Sequence, residues 1–236
     1  MIKVVVILFW FLFALSAEAV ACSCLGPPAP CQSYWEVPVI FAGTVSDIST
    51  VERNKKRHFG SRRLVRFNVQ EAYRGLNGTE AEVSTGLGDA DCGYPFSEGA
   101  QYLVYAYRQE DGSLSTGICS RTRRLSDATD DLEYIRGLSS APSGATVFGE
   151  VRAQIKRDEK YEFIKGAKII IEGGTKQIET TTDEKGRYRV SGLPADTYKV
   201  RAAPPEGFNL KASQGEAKVF DRGCAQIDFW LEPPRH

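Results

Sequence analysis

The sequence predicts an all-β protein of two units, a small barrel followed by a β-sandwich. Three observations carry this expectation. Short apolar or alternating runs recur along most of the chain, separated by Gly, Pro and Asp turn residues. A single stretch, Ser139-Ser140-Ala141-Pro142-Ser143-Gly144, has linker composition, and the strand pattern restarts after it. The length of 236 residues fits one or two domains at roughly 100–200 residues each. Hydrophobic residues at 42% and aromatics at 11% suffice for packed cores and argue against disorder.

The chain opens on an export signal. Lys3 supplies a positive charge, Val4 to Leu15 is apolar, and Ser16-Ala17-Glu18-Ala19-Val20-Ala21 supplies small residues for cleavage. The apolar run is shorter than the ~20 residues a spanning helix needs, and no later stretch is apolar enough to span. Cleavage after Ala19 leaves Val20 first; cleavage after Ala21 leaves Cys22 first. The expected location is therefore secreted or extracellular, with a periplasmic or lipid-anchored product as alternatives. A lipid on Cys22 would block its thiol and break the even cysteine count.

Residues 22–138 form the first expected domain. Its strands are Val39 to Val45, Leu64 to Val69, Ala81 to Thr85, Tyr102 to Tyr107 and Leu114 to Cys119, with Asp111-Gly112 as a turn. Five short strands in about 100 residues suggest a small barrel. One helix follows. Ser126 is its expected N-cap, Asp127, Asp130 and Asp131 lie at the positive end of its dipole, and Gly137 closes it. Ala128, Leu132 and Ile135 share the face that packs on the barrel.

Residues 139–144 are the linker, and 145–233 the second domain. Thr146 to Val151, Ala167 to Ile171, Ile178 to Thr182, Arg187 to Val190, Tyr198 to Ala202 and Ile227 to Leu231 read as strands. Gly173-Gly174, Asp183 to Gly186 and Leu193 to Asp196 are the turns between them. Such spacing indicates a β-sandwich.

Charge and motif content narrow the chemistry. Lys+Arg and Asp+Glu are both 30, so no global bias points to nucleic acid or an anionic membrane. Only His58 and His236 are present, and no Gly-x-Ser-x-Gly, His-Glu-x-x-His or phosphate-loop motif occurs, so no enzyme and no cofactor are expected. The cysteines, Cys22, Cys24, Cys31, Cys92, Cys119 and Cys224, are even in number and in an exported chain read as disulfides with 15 possible pairings. Cys22-x-Cys24 is too tight for a zinc ribbon, so no intrinsic metal site is expected. Arg53, Lys55, Lys56, Arg57, His58, Arg62, Arg63 and Arg66 make a basic stretch on a hairpin; the ordinary reading is a solvated loop, the alternative a polyanion contact. Asn77-Gly78-Thr79 is a glycosylation sequon that equally makes a plain turn. Asp89 and Asp91 offer carboxylates to a cation, but turn chemistry explains them first.

Residues 22–137 resemble the netrin-like module, and specifically the tissue inhibitors of metalloproteinases. The matching residues are Cys22-Ser23-Cys24, Cys31, Val39-Ile40-Phe41-Ala42-Gly43, Tyr73-Arg74-Gly75, Cys92-Gly93-Tyr94, and Asp111-Gly112-Ser113-Leu114 leading to Cys119. The resemblance implies an OB-fold barrel and the pairs Cys22–Cys92 and Cys24–Cys119. It also implies a mechanism, in which the α-amine and carbonyl of a mature Cys22 chelate the zinc of a metalloprotease while Ser23 enters the adjacent specificity pocket. The bland alternative is that these cysteines only staple the barrel. Gly166-Ala167-Lys168-Ile169, Thr181 to Tyr188 and Leu193-Pro194 to Val200 resemble the carboxypeptidase regulatory-like sandwich, a module that implies fold and little function. Asp196 stands where glycine is common in that pattern.

Two functional classes follow. One is a secreted, non-catalytic inhibitor of a zinc metalloprotease acting through Cys22. The other is an extracellular structural or adhesive module pair with no protease contact. With the barrel pairs as the resemblance implies, Cys31 and Cys224 are left, and they are open to an interdomain bond, two buried thiols or an intermolecular bridge.

Overall fold

The computed structural model describes residues 22–24, 26–52, 61–88, 91–154, 161–174, 176–210 and 214–232. The signal segment, Val20, Arg53, Lys55 to His58, Asp89 and His236 lie outside the described residues.

Among the described residues the chain is all-β apart from two short α-helices and a 3-10 turn. Helix α1 (Pro30–Glu36) starts with Pro30 in its first turn, where the missing N–H costs nothing. Six strands follow among the described residues: β1 (Val39–Glu52), β2 (Ser61–Arg74), β3 (Glu80–Thr85), β4 (Gln101–Arg108), β5 (Leu114–Ser115) and β6 (Arg123–Arg124). They order as β1-β2-β3-β5-β4-β6, and β1 pairs with β4 as well as β2, closing a barrel. Strand β1 serves both neighbours because its register shifts at Ile40/Phe41, Ala42/Gly43 and Val45/Asp47 bend it around the barrel. This circuit, with β3 and β5 parallel, is that of the five-stranded OB barrel.

Strand β4 explains the continuous apolar run from Tyr102 to Ala106, because it is buried on both sides. Tyr102, Val104 and Ala106 point into the barrel with Phe41, Phe67, Val83 and Phe96. Leu103 and Tyr105 point outward and join Val37, Ile40 and Ala128 under the helices. Each fully buried large apolar side chain contributes roughly 1.5–3 kcal/mol.

A 3-10 turn (Leu125–Asp127) leads into helix α2 (Thr129–Gly137). Ser126 is therefore not the N-cap. Its hydroxyl donates to Asp127 at 3.0 Å, and the cap position falls to Ala128, which makes no side-chain cap bond. The fully buried Ala128 fixes where the helix starts, so packing overrides capping preference. The strand expected over Leu114 to Cys119 also stops early, at Ser115. Beyond it Thr116 turns inward and its hydroxyl donates to the carbonyl of Tyr105 at 2.9 Å.

The second half has ten strands among the described residues: β7 (Ala145–Ala153), β8 (Glu162–Phe163), β9 (Lys168–Gly173), β10 (Lys176–Thr181), β11 (Arg187–Leu193), β12 (Asp196–Ala203), β13 (Asn209–Leu210), β14 (Gln214–Val219), β15 (Cys224–Gln226) and β16 (Phe229–Glu232). One sheet orders β10-β9-β12-β14, the other β11-β7-β16-β13, with β8 and β15 also on β7. Between them lies a core of Val147, Val151, Ile169, Ile171, Val200 and Phe229, with Leu193, Leu231, Tyr188 and Tyr198 and several alanines. The strand expected over Ile227 to Leu231 starts only at Phe229, as β16, and a further strand, β15, precedes it. Between those strands the Asp228 carboxylate accepts the backbone N–H of Glu150 at 2.9 Å.

Candidate functional site

The first described residues form a segment strapped along the barrel. Cys22 bonds to Cys92 and Cys24 to Cys119, with Cα separations of 5.5 and 5.3 Å. Cys22 is half-buried, while Ser23 and Cys24 are exposed between the two bonds.

The loops receiving these bonds are tied to each other. Cys92 has a positive φ of 59°, and its carbonyl accepts the N–H of Ile118 at 3.0 Å. The Asp91 carboxylate accepts the N–H groups of Leu87 at 2.7 Å and Gly88 at 2.9 Å. The bonds from Gly88 and Leu87 hold the Asp91 carboxyl below its ordinary range. Asp91 is thus used by its own turn, and among the described residues no group of three metal-ligating side chains exists. Gly93 and Gly117 leave room for the approach of the loops: a side chain at Gly117 would meet the Cys92 carbonyl at 2.7 Å. A cleft of about 440 Å³ opens beside Cys92, lined by polar residues such as Arg62, Thr85, Gln109 and Thr116. Leu87 and Ile118 are exposed apolar residues on these loops, 41% and 38% accessible.

Behind the strap lies a buried ion pair that the sequence did not announce. The Arg121 guanidinium donates from Nε and Nη2 to the two oxygens of Asp131, at 2.6 and 2.8 Å. Its Nη1 donates to the carbonyl of Pro28 at 2.7 Å, so one side chain joins helix α2 to the N-terminal segment. The Tyr105 hydroxyl also donates to Asp131 at 2.6 Å. Burial, reinforced by that carboxylate, pushes the Tyr105 phenol well above its ordinary range. The sequence marked Asp131 only as a residue favourable to the helix dipole. A buried aspartate and arginine ten residues apart carry no sequence signature of their pairing.

The third disulfide joins the two halves. Cys31 in α1 bonds to Cys224 in β15, with Cα atoms 5.2 Å apart across a sequence separation of 193. The neighbouring Gln32 side-chain oxygen accepts the backbone N–H of Gln226 at 3.1 Å. The indole of Trp35 stacks on Phe220 and donates to the Tyr134 hydroxyl at 2.9 Å. That hydroxyl donates onward to the Arg222 carbonyl at 2.9 Å. The Arg74 guanidinium sits 5.3 Å from the Tyr34 ring and 5.2 Å from the Trp35 ring. Gly223 faces Trp35 at a spacing that a side chain would close to 2.8 Å. At the linker, the Asp221 carboxylate accepts the Gly144 N–H at 2.7 Å.

Of the basic stretch, Arg62, Arg63 and Arg66 are described, and Arg66 pairs with Glu82 at 3.2 Å. Asn77 is exposed in the turn between β2 and β3. No helix among the described residues is long and apolar enough to cross a membrane.

The fold and the strapped N-terminal segment define a disulfide-bonded protein with a small barrel followed by a sandwich. Comparison with known families agrees: residues 20–132 match the tissue inhibitor of metalloproteinase family and residues 150–216 the carboxypeptidase regulatory-like domain, in the order expected from the sequence. Over 159 residues the chain is 25% identical to the serine-aspartate repeat-containing protein C of Staphylococcus aureus, covering 62% of this chain and 17% of that protein. It thus spans about a sixth of the length of this curated relative. Among solved structures, the minor pilin GBS52 of Streptococcus agalactiae shares 9% identity at a TM-score of 0.36, over 85% of this chain and 84% of that one. The major pilin subunit BcpA of Bacillus cereus shares 11% at a TM-score of 0.32, over 83% and 59%. Scores this low do not establish a common fold.

Proposed function

We propose that this protein is a non-catalytic extracellular module pair with a structural or adhesive role, in which the two domains act as one rigid body. The observation that carries this reading is the joint. A disulfide, a stacked aromatic pair and a chain of hydrogen bonds all cross between the halves. A joint built this way has a use when relative orientation matters over the whole length. The absence of a catalytic motif in the sequence agrees with it, as does the set of three disulfides, which suits an oxidising compartment.

Inhibition of a zinc metalloprotease is the second reading. It is favoured by the strap itself, with Cys22 and Ser23 held at the surface by two disulfides and reduced in conformational freedom before any binding. In this reading the neutral α-amine and carbonyl of Cys22 ligate the protease zinc, and Ser23 fills the adjoining pocket.

One experiment separates them. The mature protein starting at Cys22 is titrated against a panel of zinc metalloproteases, beside samples acetylated at the α-amine or extended by one alanine. The structural reading expects no inhibition by any of the three. Inhibition by the native form that both changes abolish would replace it with the protease reading. N-terminal sequencing that finds Val20 first would remove the chelation mechanism outright.

A further inference from the structure

Of the asparagines in the chain, Asn77 alone precedes a glycine. It lies with Gly78 and Thr79 in the turn between β2 and β3, and all three residues are exposed. Gly78 has φ of +123°, a conformation that glycine adopts without strain. Beyond its chain neighbours, no atom lies within 4 Å of where a side chain would stand. Among the described residues the Gly78 N–H donates no hydrogen bond, and the Asn77 side chain makes none. A free backbone nitrogen thus follows directly on an unheld side-chain amide.

The fold holds the comparable sites differently. Asp111-Gly112 is the one Asp-Gly pair in the chain. There the Gly112 N–H donates to the Gln109 carbonyl at 2.9 Å. The Asp111 carboxylate accepts the Ser113 N–H at 3.0 Å and the Ser113 hydroxyl at 2.6 Å. Both reacting groups are engaged. Asn68 lies inside β2, and the N–H that follows it, on Val69, donates to the Thr79 carbonyl at 2.8 Å.

We propose that the fold leaves Asn77 as a site of spontaneous covalent modification, losing its side-chain amide through a cyclic imide, while it protects Asp111. The Gly78 nitrogen attacks Cγ of Asn77 and forms a new N–C bond. The Cγ–Nδ2 bond breaks, and the amide leaves as ammonia, taking up the proton that the Gly78 nitrogen releases. Water then opens the five-membered ring. Addition at Cγ gives an aspartate with the original backbone. Addition at the main-chain carbonyl carbon gives an isoaspartate, in which the chain runs through Cγ. One water enters, one ammonia leaves, and nothing is oxidised or reduced.

Either product places a new negative charge beside Glu80. The isoaspartate also adds one carbon to a turn closed by the Val69–Thr79 bond and braced by Arg108, whose Nη2 donates to the Gly75 carbonyl at 3.3 Å. The reaction removes the amide nitrogen to which a glycan at the Asn77-Gly78-Thr79 sequon would attach.

The test compares the full oxidised chain with synthetic peptides of residues 73–82 and 107–116, all kept in mildly alkaline buffer. Peptide-mapping mass spectrometry follows amide-to-acid conversion at Asn77, and isoaspartyl methyltransferase labelling follows isoaspartate at both sites. Asn77 in the folded chain is expected to react within about threefold of its peptide, and Asp111 at least about tenfold more slowly than its own. Asn77 slowed about tenfold or more by the fold overturns the proposal, and so does an Asp111 that keeps pace with its peptide. Asn77→Ser should remove the label from the turn and leave the Asp111 rate unchanged. Label persisting in that turn overturns the assignment. Neither measurement involves a protease, so these results stand apart from the titration that tests the structural reading.

Discussion

The rings of Trp35 and Phe220 lie nearly parallel, 18° apart, with centroids separated by 5.6 Å. Trp35 comes from α1 on the barrel side, and Phe220 directly follows β14 of the sandwich. This contact and the Cys31–Cys224 bond leave from the same helix, so α1 is the piece of the first half that grips the second. If the stack couples the halves, a double-mutant cycle over Trp35→Ala and Phe220→Ala should give a coupling of about 1 kcal/mol in denaturant unfolding. Additive effects would mean the rings merely lie near each other.

The Arg121–Asp131 pair should be costly to break from either side. Both side chains are buried, and Arg123 also lies 3.7 Å from the same carboxylate. Asp131→Ala leaves a buried guanidinium with only carbonyl partners, and a loss of about 3–5 kcal/mol is expected by chemical denaturation. Arg121→Lys keeps the charge and loses the two-pronged contact, and should fall between the two. An Asp131→Ala variant as stable as the parent would show that water reaches the site.

Alkali should destabilise the fold through two tyrosines. Burial raises the phenols of Tyr105 and Tyr188 above the ordinary value of 10.0. The unfolded chain therefore loses these protons first, and the folded state binds more protons above pH 10. Stability is fully present below that pH and falls as pH rises, by up to about 1.4 kcal/mol per pH unit for each group. Tyr188→Phe should flatten the decline by one group in unfolding curves taken between pH 10 and 12. An unaltered slope would assign the loss elsewhere.

Gly75 ends β2 with φ of +64°, and a side chain there would run into the Pro38 carbonyl just before β1. Gly75→Ala combines backbone strain with that collision and should cost about 2 kcal/mol. Thermal unfolding reads the effect. A midpoint within a degree of the parent would show that the turn relaxes.

Much of the fold was legible in the sequence because strand periodicity is local. Glu80 to Thr85 alternates and lies in the sheet with Ala81 and Val83 facing the core. The run at Tyr102 to Tyr107 was readable as a strand, and its cover on both faces came only with the structure. Helix α1 was missed: it is short, its apolar residues are few, and only Pro30 in its first turn hinted at it. Strand β14 was missed because Gln214-Gly215-Glu216-Ala217-Lys218 buries only Ala217 among them, so edge position hides its pattern. The strapped N-terminal segment was found through the resemblance of its cysteine spacing. The aromatic joint was invisible: Trp35, Tyr134 and Phe220 meet only because the disulfide and fold bring distant segments together.

The pairing pattern also bears on how the molecule is made. Synthesis delivers the cysteines in the order 22, 24, 31, 92, 119 and 224, and no native bond joins neighbours in that order. If each thiol were oxidised with the next to emerge, Cys22 would join Cys24, Cys31 would join Cys92, and Cys119 would join Cys224, every one of them wrong. Cys31 must instead stay available until nearly the whole chain has appeared. An oxidant acting alone on the growing chain would trap such errors, because uncatalysed reshuffling takes minutes to hours. The cell that makes this protein must therefore either delay oxidation until the β-units have collapsed or supply a disulfide isomerase to correct the early bonds.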